Sequence, residues 1–130
     1  MDNKARLACG RAQMSDILLV LNDPAYGTER SFNGLRLAGA LAKREQTNVR
    51  VFLIGDAVSC AKRGQKVPQG YYNTELMLHA VSRRNGEIGV CSSCMDARGL
   101  ADADLAEGCR RSTLEELAEW TLGADRVLIF

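Results

Sequence analysis

Two cysteines three residues apart, in Val90-Cys91-Ser92-Ser93-Cys94-Met95-Asp96-Ala97-Arg98-Gly99, are the side chains best placed by type and spacing to do chemistry. They follow a short apolar run, Ile88-Gly89-Val90, and precede residues able to turn helical. A cysteine at such a strand-to-helix junction meets the outward-pointing amides that open a helix. Their field favours thiolate over thiol and makes the sulfur a usable nucleophile near neutral pH. The same spacing also fits buried cysteines that fill space, half of a zinc knuckle, and a dithiol/disulfide switch.

Other chemistries find less support. A Cys–His hydrolase needs an imidazole base beside the thiol, and the single histidine, His79, stands in a helical pattern with no motif around it. Zinc needs four ligands, and one CxxC with scattered Cys60 and Cys109 matches paired knuckles poorly. Neither a metal nor a cofactor is therefore expected. Gly64-Gln65-Lys66 lacks the spacing of a phosphate-binding loop. Lys62, Arg63 and Lys66 read first as a solvated face, although Lys66, near Cys60, is placed to help hold an anionic sulfur species. A formal charge of +1 leaves no basic footprint for nucleic acid. No run reaches membrane-spanning length. Five cysteines, an odd number with no apolar leader before them, suit the reducing cytoplasm.

The elements that must position these residues follow from the apolar pattern. Residues 1–14 are polar and irregular, read as a disordered N-terminal extension holding Cys9, with Met14 as a possible second start. A single domain is expected over 15–130, a length that buries roughly two-thirds of its unfolded surface. Ile17–Leu21 and Val49–Ile54 are continuous apolar runs, the mark of strands buried on both faces. Ile88–Val90 and Arg126–Phe130 read as two further strands. Thr28 is placed to cap a helix with Phe32, Leu35, Ala38 or Gly39, and Ala42 inside; Gly34 and Gly39 permit close packing on a sheet. Asn73 suits the N-cap of a helix over Thr74–Arg84, buried along Leu76, Met77, Ala80 and Val81 and stopped by Asn85-Gly86. A broken helical region runs from Ser92 to Gly108. Ser112-Thr113-Leu114-Glu115 has the capping-box pattern, opening a helix with Leu114, Leu117, Ala118 and Thr121 inside.

Alternating strands and helices predict an α/β fold, a mainly parallel sheet covered on both faces. Ligand crevices in such folds lie at the carboxyl ends of the strands. The loop Pro24-Ala25-Tyr26-Gly27-Thr28, the Cys60 segment and the Cys91 turn all leave strands at that edge. Three irregular segments are thus expected to converge on one rim.

From about Ser15 to Phe130 the chain resembles the DsrE/DsrF-like sulfur-relay family, which includes TusD-like and YchN-like proteins. Three matches in order carry the resemblance. Pro24-Ala25-Tyr26-Gly27-Thr28 is similar to the loop after the first strand in TusD-like members. Val90-Cys91, followed by Arg98-Gly99, is similar to the segment bearing their single cysteine. Asp125-Arg126-Val127-Leu128-Ile129-Phe130 is similar to their ending. The resemblance implies a three-layer α/β/α sandwich with four to five strands, a homotrimer or homohexamer, and sulfur-donor and sulfur-acceptor proteins as partners. It makes Cys91 the persulfide carrier of a sulfurtransferase. Cys94 has no counterpart in the TusD-like pattern and stands as a resolving or auxiliary thiol. Gly55-Asp56-Ala57-Val58 with Cys60 is closer to the YchN-like branch. Pro24, Tyr26, Gly27, Thr28, Cys60 and Arg98 are the auxiliary residues so implied, with Lys66 added by the charge cluster near Cys60. Two other readings remain: a non-enzymatic oligomeric binding or assembly subunit, and a CxxC dithiol/disulfide redox protein.

Overall fold

An apolar run such as Ile17–Leu21 is stable only where a sheet is covered on both faces. In the computed structural model, which describes residues 14–130, it lies in β1 (Ser15–Leu21), with both alternating sets of side chains buried. β2 (Thr47–Leu53) pairs with it in parallel, from Ser15↔Thr47 to Leu21↔Leu53. β3 (Glu87–Cys91) and β4 (Cys109–Ser112) extend the sheet on that side, and β5 (Arg126–Ile129) adds to the other side of β1. Among the described residues the sheet is five-stranded, all parallel, in the order β4-β3-β2-β1-β5. The extension expected over residues 1–14, with Cys9, lies outside the described residues apart from Met14.

Topology decides which helix covers which face. The connections β1→β2→β3→β4 step in one direction, so right-handed crossovers put their helices on one face; β4→β5 reverses and puts its helix on the other. α1 (Arg30–Ala42) accordingly packs over Leu21, while α4 (Leu114–Gly123) drops Trp120 onto Phe52 from the opposite side, ring centroids 6.2 Å apart. α2 (Thr74–Ser82) lies beside α1, and the short α3 (Ser92–Ala97) follows β3. The result is a three-layer α/β/α sandwich.

Several local expectations change. β4, Cys109-Arg110-Arg111-Ser112, falls just beyond the region read as broken helix and carries no apolar run, because a polar edge strand needs only one neighbour. Ser92–Gly108 itself holds α3 and one 3-10 turn, Asp102–Asp104. In α2 the buried phase is Thr74, Leu78 and Val81, with Met77 half-buried; Leu76 (63% exposed) and Ala80 turn outward. Asn73 does cap this helix, accepting the Leu76 N–H at 3.1 Å. In α4 the cap is Thr113, with Glu116 rather than Glu115 at its third position. Its inner side is Trp120 with half-buried Leu117 and Glu116, whereas Leu114, Ala118 and Thr121 are exposed. Thr28 accepts the Arg30 N–H at 3.3 Å, but Glu29 occupies the N-cap of α1.

The glycines of α1 differ in role. A Cβ on Gly34 would stand 2.4 Å from Leu21 Cδ2 and 3.2 Å from the Phe130 ring, whereas one on Gly39 would meet nothing within 4 Å. Close approach to the sheet therefore needs Gly34 and not Gly39. Alanine normally favours a helix interior over glycine by about 1 kcal/mol, while overpacking a closed site costs about 1–3 kcal/mol. Gly39→Ala should leave stability unchanged or raised, and Gly34→Ala should lower it relative to that control. Chemical denaturation midpoints in the same buffer test the order.

Candidate functional site

β3 ends at Cys91, and the chain turns at once into α3, so Cys91 is the N-cap of that helix. Its backbone is held by the ladder to β4, where it pairs with Ser112. The residue is only 6% exposed. Burial alone would push its thiol up. The Ser93 hydroxyl, 3.4 Å from Sγ, the Cys94 thiol, and the N–H groups of Cys94 and Ser93 act the other way. Together they outweigh desolvation and hold the Cys91 thiol below the ordinary cysteine value. No close side-chain cap bond forms, so the two amides act on the sulfur as nearby dipoles.

Cys94 lies one turn further along and is half-buried. Its Sγ accepts the Gly55 N–H at 3.1 Å from the turn that follows β2. Burial and the hydrogen bond to the Cys91 sulfur push its thiol up; the Gly55 amide and the Arg98 charge offset part of that rise. Two thiols in contact are thus pushed in opposite directions: Cys91 toward thiolate, Cys94 toward thiol.

Two arginines hold this turn in place. Arg98 grips Asp56 through Nε and Nη2, at 3.0 and 2.8 Å, and donates from Nη1 to the Cys94 carbonyl at 3.0 Å. It thereby ties the end of α3 to the turn that supplies the Gly55 N–H. Arg111, on β4, donates from Nη1 to Ser92 Oγ at 2.7 Å, Asp96 Oδ1 at 3.0 Å and the Ser92 carbonyl at 3.3 Å. Nε meets Asp102, and Nη2 the Leu100 carbonyl. A six-residue helix cannot hold itself; this guanidinium fastens both its ends.

The remaining predicted residues lie in the loop after β1 and in the segment after β2. Cys60 follows the carboxyl end of β2, but it is fully buried and its sulfur donates to the Asp23 carbonyl at 3.7 Å. Burial pushes its thiol up to about 11, so it rests as a thiol packed beneath the rim. Cys109, on β4, is pushed up to about 12 by burial and by Glu75. The loop after β1 turns at Gly27, where φ is +108°, a backbone region that favours glycine. Thr28 Oγ1 donates to Asp23 Oδ2 at 2.6 Å within that loop, which Pro24 opens. Tyr26 donates to the Tyr72 carbonyl, Tyr72 donates back to the Ala25 carbonyl at 2.7 Å, and their rings stack at 4.8 Å. Tyr26 and Lys66 meet across a shallow pocket of about 250 Å3, lined also by Val67, Pro68 and Tyr71. His79 lies in α2 and is half-buried. Among the described residues no group of three His, Cys, Asp or Glu side chains is arranged to hold a metal ion.

Arg111, Ser93 and the Gly55 amide are invisible to motif reading. Arg111 lies in a segment with no apolar period, and a backbone N–H carries no sequence signal. The one clue in the sequence is Asp96 and Asp102 flanking the cysteine turn, two carboxylates in need of a cation.

A three-layer parallel sheet with a dithiol turn at the carboxyl end of a central strand defines an α/β protein of the thiol-bearing kind. The chain belongs to the DsrE/DsrF-like family, whose model matches residues 15–130. It is 44% identical over 118 residues to the Escherichia coli protein YchN, covering 90% of this chain and 100% of that one. The crystal structure of YchN superposes with a TM-score of 0.85 over the same shares. A more distant relative is the sulfurtransferase TusD of Serratia proteamaculans, 28% identical over 129 residues, covering 90% of this chain and 100% of that one. A protein of unknown function from Methanobacterium thermoautotrophicum, 15% identical with a TM-score of 0.67, covers 88% of this chain and 98% of its own, and shares the fold. Among the described residues no helix is long and apolar enough to cross a membrane.

Two outcomes follow from the geometry. Limiting iodoacetamide near neutral pH should modify Cys91 before Cys94, and the Cys91 rate should rise with pH through an inflection below that of an ordinary cysteine, because only the thiolate reacts. Peptide mass spectrometry reads the order, and several-fold faster modification of Cys94 would exchange the two roles. Arg111→Gln should slow Cys91 alkylation at neutral pH by about three- to tenfold by loosening the turn, since a site about one ångström looser loses its tuning. Arg111→Lys should recover only part, because one ammonium cannot span Ser92, Asp96 and Asp102 together.

Proposed function

We propose that the chain is a sulfur carrier, a sulfurtransferase that takes sulfane sulfur onto Cys91 as a persulfide and passes it to a partner thiol. The observation that carries this reading is the Cys91 sulfur itself. At the end of a central strand, it is drawn toward thiolate by the Ser93 hydroxyl, the Cys94 thiol and two amides. Membership of the DsrE/DsrF-like family and the distant kinship with a sulfurtransferase support it. The Cys91 thiolate attacks the outer sulfur of a donor persulfide, the donor leaves as thiolate, and Cys91 carries S–SH. An acceptor thiolate then attacks that outer sulfur, and Cys91 leaves as the thiolate its surroundings already favour.

Donor and acceptor are read as proteins, and the working form as a homotrimer or homohexamer in the cytoplasm. Support for assembly is the apolar side chains left uncovered on α4 and β5: Leu114, Leu122, Val127 and Ile129, with Leu122 89% and Ile129 71% exposed. β5 pairs with β1 alone, so Val127 and Ile129 stand on an open edge strand.

Incubation with a sulfane-sulfur donor should add about 32 Da, one sulfur atom, to the Cys91 peptide of Cys94→Ser, where no second thiol can displace it. Cys91→Ser should gain nothing. A Cys94→Ser chain that gains no sulfur, with a wild type that neither gains mass nor releases sulfide, would leave the family fold serving a non-enzymatic binding or assembly role. Light scattering at micromolar concentration should show an oligomer, and a monomer would refute the assembly reading.

A further inference from the structure

Cys94 is more than a simple carrier requires, since donors other than a thiol also favour the Cys91 thiolate. Relay needs one sulfur, yet here a second thiol stands one helical turn from the first, on the same short helix that Cys91 caps. Its sulfur is fixed by the Gly55 N–H at 3.1 Å, and Arg98, bound to the Cys94 carbonyl, lies near enough for its charge to favour a Cys94 thiolate. Cys91, by contrast, is 6% exposed, so a thiol arriving from outside must reach a nearly buried sulfur. Cys94 is already there, and an intramolecular thiol competes at an effective concentration that free thiols do not approach.

We propose that the Cys91–Cys94 pair reduces the sulfane sulfur of small persulfides to sulfide, so that the chain acts as a dithiol sulfane-sulfur reductase. This rests on the reading of Cys91 as the sulfur acceptor. With Cys91 carrying S–SH, the Cys94 thiolate attacks Cys91 Sγ. The bond between Sγ and the outer sulfur breaks, the outer sulfur leaves as hydrosulfide with the bonding pair, and a Cys91–Cys94 disulfide forms. The outer sulfur gains the two electrons that the two cysteines lose. The proton that Cys94 gives up is carried off by water or by the departing hydrosulfide, which then leaves as neutral hydrogen sulfide. A dithiol reductant must reopen the disulfide before another turnover.

Arg98 and Gly55 make the second thiol competent. Arg98 joins α3 to the Gly55-Asp56 turn, so the N–H that holds Cys94 Sγ and the charge that favours its thiolate move together.

The test is single-turnover exposure of the reduced full chain, Cys91→Ser and Cys94→Ser to glutathione persulfide, with sulfide trapped and counted and intact mass recorded. Wild type should release about one sulfide per chain and finish as a disulfide, lighter by the two thiol hydrogens. Cys94→Ser should release at least about tenfold less sulfide and keep the added sulfur on Cys91. Cys91→Ser should do neither. Cys94→Ala, which avoids a new hydroxyl against the Gly55 amide, should behave as Cys94→Ser does. If the wild type keeps its persulfide, forms no disulfide and releases no more sulfide than Cys94→Ser, the reductase is overturned while the carrier stands. If neither the wild type nor either Cys94 variant takes up sulfur or releases sulfide, both readings fall.

Discussion

Everything at this site depends on a contest at one atom, the Cys91 sulfur, between desolvation and hydrogen bonding. Burial disfavours the thiolate; a hydroxyl, a thiol and two amides favour it, and they win. None of these donors is unusual. What is unusual is that they converge where a parallel strand ends and a helix begins, so that one residue closes the ladder and opens the helix. Had β3 stopped one residue sooner, Cys91 would sit in solvent and keep an ordinary thiol. A residue later, it would lie inside the sheet, where no amide is free.

Such a contest can be won only if the donors stay put. α3 is six residues long, below the length at which a helix is stable in water. Its order has to be imported from Arg111 on one side and from the Arg98–Asp56 pair on the other. Single exposed ion pairs contribute little to stability, about 0–1 kcal/mol. Their role here is better described as geometric: each guanidinium makes several bonds to different segments, so the turn has one arrangement rather than several. A comparable network on the far face, where Arg50 and Arg110 lie 5.2 and 5.5 Å over the Trp120 ring and bind Glu87, seats α4 on the sheet.

What the sequence reveals follows from how each element is stabilised. β1 and β2 are legible because burial on both faces demands unbroken apolar runs. The turn holding Cys91 is legible because spacing and the preceding strand fix its place. β4 is not, since an edge strand of Cys109-Arg110-Arg111-Ser112 is held by one ladder and by arginine pairing, neither of which leaves a period. Helix phase fails for a related reason. α2 exposes Leu76 and buries Thr74, whose hydroxyl donates to the Cys60 carbonyl at 3.1 Å, so a satisfied polar residue takes a place that hydrophobicity would give to leucine. In α4 a single large ring, Trp120, supplies the buried contact that the pattern spreads over four smaller residues. Cys60 is legible as a residue of the β2 end but not as a sealed one, because exposure depends on the Asp23 loop folding over it.

The described cysteines show why residue type alone cannot assign a role. Cys60 and Cys109 are thiols pushed up to about 11 and 12, chiefly by burial, and at neutral pH they are packing groups. Cys91 and Cys94 are also desolvated, but each has donors, and the donors are shared unequally. Ser93 and the helix amides tilt the pair so that Cys91 gives up its proton more readily than Cys94. When environments push a pair of titratable groups apart, they divide the work into one that attacks and one that waits. Once sulfur is attached, Cys91 Sγ itself no longer carries the charge that, after burial and the hydrogen bond, helps hold Cys94 protonated. The Gly55 amide and Arg98, both of which favour a Cys94 thiolate, then act unopposed by that charge. The order of the two steps is thereby built into the same hydrogen bond that sets the first.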